Sequence, residues 1–250
     1  MADAFRLALL DGGALYIGRG ITTGVHRHHA TELVMSIEHP FRLEAPPDAA
    51  VDGRFALVPP NVPHRFVGAP GDVHVFVYLD PLHQWARQLA AAFPAGPTVR
   101  DLTPHYPTAL VPPLLAWLGG GGAAAEAVVA GLVRHVVPEA APLAPLDARI
   151  AGSLVFVQNR LPHPLPLPAV AAHVHLSAGR YAHLFTQQVG VPFRRYVRWS
   201  RLQATVRAVL QGHSLTQACY DGGFTDLPHF TRTFRAMFGV APSEVIRPRP

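Results

Sequence analysis

Two helix–turn–helix patterns near the C-terminus constrain the fold of this chain more than any other feature of its sequence. In the first pattern, the turn His175–Ser177 leads into the helical run Ala178–Val189, and serine is a preferred residue at a helix N-cap. The second pattern is predicted over 214–238. A single helix predicted at 193–210 separates them, and at about 1.5 Å per residue it would be about 27 Å long.

The helical period predicts which side chains of these two units face outward. In the first unit, Tyr181, Leu184 and Phe185 fall on one face, which we expect to pack inward. In the second unit, Phe230, Phe234 and Phe238 share the inward face, and Arg232 lies about 200° round the helix from Phe230. The predicted outward positions are Gly179, Ala182 and His183 in the first unit and Arg232 and Arg235 in the second.

The basic residues of the chain are concentrated at this end. The sequence has 21 arginines and no lysine, and its formal net charge is +5. Residues 166–250 hold ten arginines against three acidic residues, whereas residues 1–165 hold 11 against 13. A basic C-terminal third on a nearly neutral body indicates a polyanionic partner. The alternative for these arginines is a helix face that is merely solvated.

The second unit closely resembles the signature of AraC/XylS-type transcription regulators over GFTDLPHFTRTFRAMFGVAPSEV, residues Gly223–Val245. The first unit is similar to the same family over AAHVHLSAGRYAHLFTQQVGVPFRRYV, and the resemblance extends over roughly 147–246. It implies that two recognition helices enter adjacent major grooves of double-stranded DNA. The implied base-facing positions are Gly179, Ala182 and His183 in the first recognition helix and Leu227, Pro228 and Arg232 in the second, with Arg235 nearby.

Departures from the family pattern change what each recognition helix can read. His183 stands where the family usually has arginine, and neither Gly179 nor Ala182 can form a hydrogen bond to a base edge through its side chain. We therefore expect the first helix to read shape or methyl groups, or to bind weakly. More of the sequence reading would then fall on the second helix and its Arg232.

A second group of candidate site residues lies in the N-terminal half, which is predicted to be β-rich over 5–80. His26, His28 and Glu32 are separated by even numbers of residues, so they would share one face of a strand. His64 could supply a third imidazole. Imidazole and carboxylate ligands together suit Zn, Fe, Mn or Ni. The sequence therefore predicts a divalent transition-metal site formed by these four side chains.

The spacing of these residues resembles the two cupin motifs. Gly20, His26, His28 and Glu32 match the first motif, and Gly53, Pro59, Asn61 and His64 match the second, with Asn61 in place of the usual glycine. The resemblance implies a cupin-like β-barrel that senses a metal or a small-molecule effector. Two alternatives stay open: a pocket for an organic effector without metal, and a metal-dependent cupin oxygenase or isomerase with an accessory helical domain.

The predicted fold class is α+β with three segments. These are a cupin-like sensor domain at 1–80, a helical linker and dimerisation segment at 81–145, and an all-α DNA-binding domain with two helix–turn–helix units at 146–250. The apolar faces of the middle helices would either cover the barrel or pair with a second subunit, and we expect a homodimer. The apolar stretch Leu110–Val133 is interrupted by Pro112-Pro113 and by glycines, so no membrane span is predicted.

The functional expectation is a cytoplasmic, sequence-specific DNA-binding transcription regulator and not an enzyme. Cys219 is the single cysteine, so an internal disulfide framework is excluded. We expect Cys219 to be a packed core residue of the second helix–turn–helix unit.

Overall fold

The structure is a computed structural model that describes residues 5–47, 49–94, 96, 98–139 and 142–246. The chain divides into two compact units: Met1–Leu143 with Ala236–Val240, and Ala144–Arg235 with Ala241–Pro250. The predicted α+β class is confirmed, because strands dominate the first unit and the second is helical. In this described part of the chain, every helix is too short or too polar to cross a bilayer.

Antiparallel strands build the first half of the N-terminal unit. They are β1 (Phe5–Leu10), β2 (Gly13–Arg19), β3 (Thr31–Ser36), β4 (Phe41–Ala45), β5 (Ala49–Gly53), β6 (Phe55–Val58), β7 (Arg65–Val67), β8 (Val73–Leu79) and β9 (Arg100–Asp101). The larger sheet has the order β1-β2-β8-β3-β6-β9, and the smaller has the order β5-β4-β7. The longest ladder joins β8 to β2, and β8 also pairs with β3 along the whole of that strand.

Side chains alternate along each strand, so the two faces of the larger sheet carry different residues. On one face Leu33 lies opposite Val77, and both belong to the main apolar core. On the other face Glu32 lies opposite Tyr78, and Phe76 packs edge-on against Phe66 of the smaller sheet. Glu32 thus lies on the face of the larger sheet that meets the smaller sheet.

Helices cover the first of these faces. They are α1 (Gln84–Ala92), α2 (Val111–Leu118) and α3 (Ala125–Val136). Leu89, Trp117 and Val129 are buried, and they belong to the same core as Leu33 and Val77. The sequence left two partners open for these apolar helix faces, the barrel and a second subunit. In the structure, the faces pack on the larger sheet. Dimer formation stays a prediction, but these helix faces are buried and no longer support it.

The cupin-like domain is a pair of sheets in the described residues, and no closed barrel is detected there. Outside the named strands, only the bridges Thr22–Val67 and His26–His64 are seen in the described residues. β6 is followed directly by Pro59 and Pro60. Because proline has no N–H group, neither residue can donate a hydrogen bond that would continue the pairing of β6 toward β7. A double-sheet arrangement of this kind is the jelly-roll solution to burying two sheet faces.

The middle segment differs from the predicted division at residue 80. β9 pairs with β6 at the edge of the larger sheet, and α1 to α3 pack on that sheet. The predicted segments 1–80 and 81–145 therefore share one core in the described residues, and both fall within the same compact unit up to Leu143.

The C-terminal unit is formed by helices α4 (Ala148–Gln158), α5 (Leu167–His173), α6 (Ala178–Val189), α7 (Phe193–Leu210), α8 (Leu215–Asp221), α9 (Leu227–Phe238) and α10 (Pro242–Val245). The pairs α5–α6 and α8–α9 are the two predicted helix–turn–helix units, and α7 lies between them in the chain. The double helix–turn–helix prediction is confirmed.

Local signals start and stop these helices. The Ser177 hydroxyl accepts a hydrogen bond from the Arg180 N–H at the start of α6, and Ser214 does the same for Gln217 at the start of α8. Gly190 ends α6 with φ +78°, a left-handed conformation that glycine adopts without strain. The Asp226 carboxylate accepts from the His229 N–H at 2.6 Å in the first turn of α9.

Candidate functional site

The histidines of the N-terminal unit come from two loops that are joined backbone to backbone. His26 and His64 form an antiparallel bridge, in which each donates its N–H to the carbonyl of the other at 2.9 Å. The Asn61 N–H donates to the His28 carbonyl at 2.8 Å. His26 and His28 therefore precede β3 and are not on it, and only Glu32 lies within that strand. The predicted grouping of all three on one strand is corrected in this respect.

The three imidazoles converge nonetheless. The ring centroids are 4.1 Å apart for His26 and His64, 5.0 Å for His28 and His64, and 5.8 Å for His26 and His28. Each ring offers a nitrogen within 4.8 Å of the other two, and all three residues are buried. Glu32 joins this group through His28 and His64, because its Oε2 lies 3.1 Å and 3.2 Å from their Nε2 atoms.

Backbone carbonyls orient each ring in the same way. The Nδ1 atoms of His26, His28 and His64 lie 2.8, 3.0 and 2.9 Å from the carbonyl oxygens of Gly24, Ala30 and Val62. A carbonyl only accepts, so each Nδ1 must carry the proton and donate it. When an imidazole with its proton on Nδ1 is neutral, its Nε2 bears a lone pair that can bind a metal. Such a hydrogen bond on the second ring nitrogen is typical of metal-ligating histidines.

The electrostatics of the cluster are unusual for buried groups. Burial alone would raise the pKa of Glu32, but the contacts with His28 and His64 lower it well below its usual range. Burial, followed by repulsion from His64 and His28, lowers the pKa of His26 to about 3, so its ring is neutral at pH 7. Burial opposes charge on His64 as well, yet the Glu32 carboxylate raises its pKa.

The donor set fits a divalent transition metal. His26 Nε2 is buried and has no hydrogen-bond partner in the described residues. His64 Nε2 is within ion-pair distance of Glu32, but the contact lacks hydrogen-bond geometry. Two nitrogen atoms without a proper donor or acceptor partner, in a buried group of three imidazoles and one carboxylate, are what a metal ligand set leaves when no ion is present.

One further residue, Tyr78, lies at this site, and it was missed from the sequence. His29 is not part of the imidazole group, because its Nδ1 lies 2.7 Å from Asn61 Oδ1. Tyr78 was not predicted; it lies directly opposite Glu32 in the β3–β8 ladder, and its ring stands edge-on to His28 at 5.2 Å. Burial raises the pKa of Tyr78 well above its usual value, and the Glu32 carboxylate adds to the effect. The alternation of β8 could have indicated its face, but not its pairing with Glu32.

A second carboxylate–histidine group, Glu38, His39 and Asp72, has a structural explanation. The Asp72 carboxylate accepts hydrogen bonds from the backbone N–H groups of Glu38, His39 and Val73. Its oxygens are thus used to order the turn after β3.

The outward positions predicted for α6 and α9 are where the helical period places them. Gly179 and His183 are exposed and Ala182 is half-buried, whereas Tyr181 and Phe185 are buried and Leu184 is half-buried. On α9, Pro228, Arg232 and Arg235 are exposed and Leu227 is half-buried, whereas Phe230 and Phe234 are buried and Phe238 is half-buried.

The arginines of this unit do not all behave alike. Arg194, Arg198 and Arg207 of α7 are exposed. Arg201 is different, because its Nε and Nη2 donate to the carbonyls of Leu161 and His163 and thereby hold the α4–α5 loop. Arg180, which the sequence reasoning passed over, is exposed in the first turn of α6. The ion pairs described in this unit are Arg149–Asp147 and His213–Asp221, so the exposed arginines of α6, α7 and α9 meet no carboxylate there.

Comparisons with known proteins agree with this geometry. A family model described as a helix-turn-helix domain matches residues 170–247. The Arabinose operon regulatory protein of Salmonella typhimurium is 25% identical over 213 residues, which are 77% of this chain and 74% of that protein. The chain carries an AraC-type helix–turn–helix domain.

A second sequence relative and a solved structure are also similar to this chain. The Uncharacterized HTH-type transcriptional regulator YpdC of Escherichia coli is 35% identical over 94 residues, which are 36% of this chain; the chain spans 32% of the length of YpdC. The crystal structure of ToxT from Vibrio cholerae matches with a TM-score of 0.59 over 96% of both chains, at 14% identity. At that identity the likeness concerns the fold alone. One ToxT structure is described as bound to an unsaturated fatty acid.

The AraC-type domain therefore contains all seven positions that the sequence assigned to DNA. Of these, Arg232 and Arg235 carry long donor side chains on the exposed surface, and His183 carries a short one. The arrangement can offer a duplex several positive charges and one helix face rich in hydrogen-bond donors.

Proposed function

We propose that this chain is a cytoplasmic one-component transcription regulator that binds double-stranded DNA through its AraC-type domain. The observation that carries the proposal is the pair of helix–turn–helix units with exposed arginines that no carboxylate neutralises in the described residues. Phosphate oxygens are the natural partners of such arginines, and a guanidinium in the major groove can bind guanine through two hydrogen bonds. The names of the relatives, all regulators of transcription, support the same function.

We further propose that the N-terminal unit is a cupin-like sensor and that His26, His28, His64 and Glu32 hold a divalent transition metal, Zn, Fe, Mn or Ni. The support is the anchoring of three Nδ1 atoms on backbone carbonyls and the buried His26 Nε2. A bound cation would supply positive charge that balances Glu32 and would satisfy the imidazole lone pairs. It would act either as the effector or as the group on which a small-molecule effector is held.

Regulation requires that the effector bind two states of the protein with different affinities, since equal affinities shift nothing. If the effector strengthens DNA binding by a given factor, DNA must strengthen effector binding by the same factor. We also propose that the working form is a homodimer, which would place two such domains on one operator.

The test is DNA binding by the purified full chain with and without added metal. An operator sequence is first selected from random duplexes, and binding is then measured by fluorescence anisotropy on the selected and on a scrambled duplex across a range of salt concentrations. Regulation predicts preference for the selected duplex and a linear fall of log K with log salt. Salt-independent or sequence-indifferent binding would count against the proposal.

A further inference from the structure

We propose that Tyr78 is a positioning residue of the histidine cluster: its hydroxyl holds the Glu32 carboxylate in the orientation that a bound metal requires. The inference rests on the proposed metal site and adds to it a residue that is not itself a ligand. It follows from the strand register, from the hydrogen-bond partners of Glu32 and from what metal binding does to those partners.

The register makes the pairing a fixed feature of the sheet. Glu32 of β3 lies directly opposite Tyr78 of β8, in a ladder that runs from Thr31–Leu79 to Ser36–His74. Side chains opposite each other in an antiparallel pair have Cβ atoms about 4.5–5.5 Å apart and point to the same face. The phenol is therefore held beside the carboxylate by the backbone.

The partners of Glu32 change when the imidazoles bind a metal. In the described residues, its carboxylate contacts His28 and His64, and the third neighbour that could donate to it is the hydroxyl of Tyr78, the residue opposite in the ladder. His28 and His64 make this contact through Nε2, the same atom that would bind a metal. Metal binding thus takes both histidine contacts away from the carboxylate. Of the three neighbours, only the Tyr78 hydroxyl can donate to Glu32 in the loaded site.

Tyr78 also limits the position of one imidazole. Its ring stands edge-on to His28, with centroids 5.2 Å apart and planes at 87°, and it stacks on Phe76 at 6.4 Å. This ring contact survives removal of the hydroxyl. The substitution Tyr78→Phe therefore removes the hydrogen bond to Glu32 and keeps the packing around His28.

The experiment measures the affinity of the full chain for Co²⁺ and Zn²⁺ by competition with a chromophoric chelator at fixed pH. Removing an outer-shell partner of a metal ligand typically weakens metal binding about 10- to 100-fold, which is the loss expected for Tyr78→Phe. The control is Tyr106→Phe in the same unit. It removes a hydroxyl that donates to the Ser36 carbonyl at 2.8 Å, away from the histidine cluster. The control should bind metal as the wild type does.

A double-mutant cycle with Glu32→Gln separates positioning from general loosening. If Tyr78 acts through Glu32, Tyr78→Phe weakens binding in the wild-type background but has little further effect in the Glu32→Gln background. The visible absorption spectrum of bound Co²⁺ should change alike in Tyr78→Phe and Glu32→Gln, because both alter the same oxygen ligand.

The outcomes distinguish this inference from the proposed metal site. A wild type that binds neither ion overturns the metal site, and the role of Tyr78 with it. A wild type that binds metal while Tyr78→Phe binds equally well overturns the role of Tyr78 alone. Equal losses in Tyr78→Phe and Tyr106→Phe, or additive losses in the cycle, also overturn it.

Discussion

Arg232 is the residue on which we expect recognition of the operator to depend most. It is exposed on α9, while Phe230 and Phe234 of the same helix are buried, and it makes no ion pair in the described residues. On α6, the corresponding face presents Gly179 and Ala182, which have no side-chain hydrogen-bonding group. Nothing within 4 Å would oppose a side chain at Gly179, so the fold itself does not require glycine there.

The expected magnitude follows from these contacts. A bidentate arginine–guanine contact contributes about 1–3 kcal/mol of discrimination between bases. Since 1.4 kcal/mol corresponds to about a tenfold change in affinity, Arg232→Ala should weaken binding to the selected operator by roughly ten- to a hundredfold. Binding to a scrambled duplex should change far less. The free energy of unfolding should stay within about 0.5 kcal/mol of the wild type, as for exposed substitutions in general.

The assay is fluorescence anisotropy on both duplexes at several salt concentrations, with Arg207→Ala as the matched control. Arg207 is an exposed arginine of α7, so the control removes the same charge from another place. A phosphate contact would weaken both duplexes alike and reduce the salt slope by about one. Equal losses on operator and scrambled DNA with Arg232→Ala would refute base reading by this residue and would leave the DNA-binding assignment intact.

The remaining predictions concern stability, metal and assembly. Arg201→Ala should lower the free energy of unfolding by about 1.5–3 kcal/mol in urea, because its guanidinium donates to two loop carbonyls; an unchanged midpoint would contradict this. His64→Ala should lower bound metal several-fold and leave the circular dichroism spectrum intact, whereas metal content equal to that of the wild type would leave an organic-effector pocket. Asn61 has φ +65°, so Asn61→Ala should be about 1–2 kcal/mol less stable than Asn61→Gly, and equal stability would refute the strain argument. Light scattering should show a dimer at tens of micromolar, and a monomer with and without DNA would exclude the proposed assembly.

The helical half of the fold could be predicted closely because its signals are local. Ser177 and Ser214 begin helices at the expected places, and Gly190 ends one in the left-handed conformation. Each of these residues acts on the backbone within about four positions, so the start or end of the helix can be predicted from the local sequence. The buried Phe230 and Phe234 follow from the helical period for the same reason.

The histidine cluster could be predicted only in part. The spacing of His26, His28 and Glu32 indicates a common direction in extended chain, and they do meet. Their meeting with His64 depends on a bridge between loops 38 residues apart in the sequence, which spacing alone cannot establish. The resemblance to the cupin motifs supplied that link, while the division of the strands into two sheets is seen only in the structure.

By itself, then, the sequence determined the helical unit, the outward direction of Arg232 and the identity of the four candidate metal ligands. Only the tertiary structure decided that Tyr78 lies beside Glu32, that Arg201 holds a loop, and that α1 to α3 cover a sheet. The physical reason is that an apolar helix face or an arginine side chain is equally satisfied by any partner of suitable chemistry. The partner that such a face or side chain contacts depends on residues brought together from distant parts of the chain. A local sequence pattern cannot predict it.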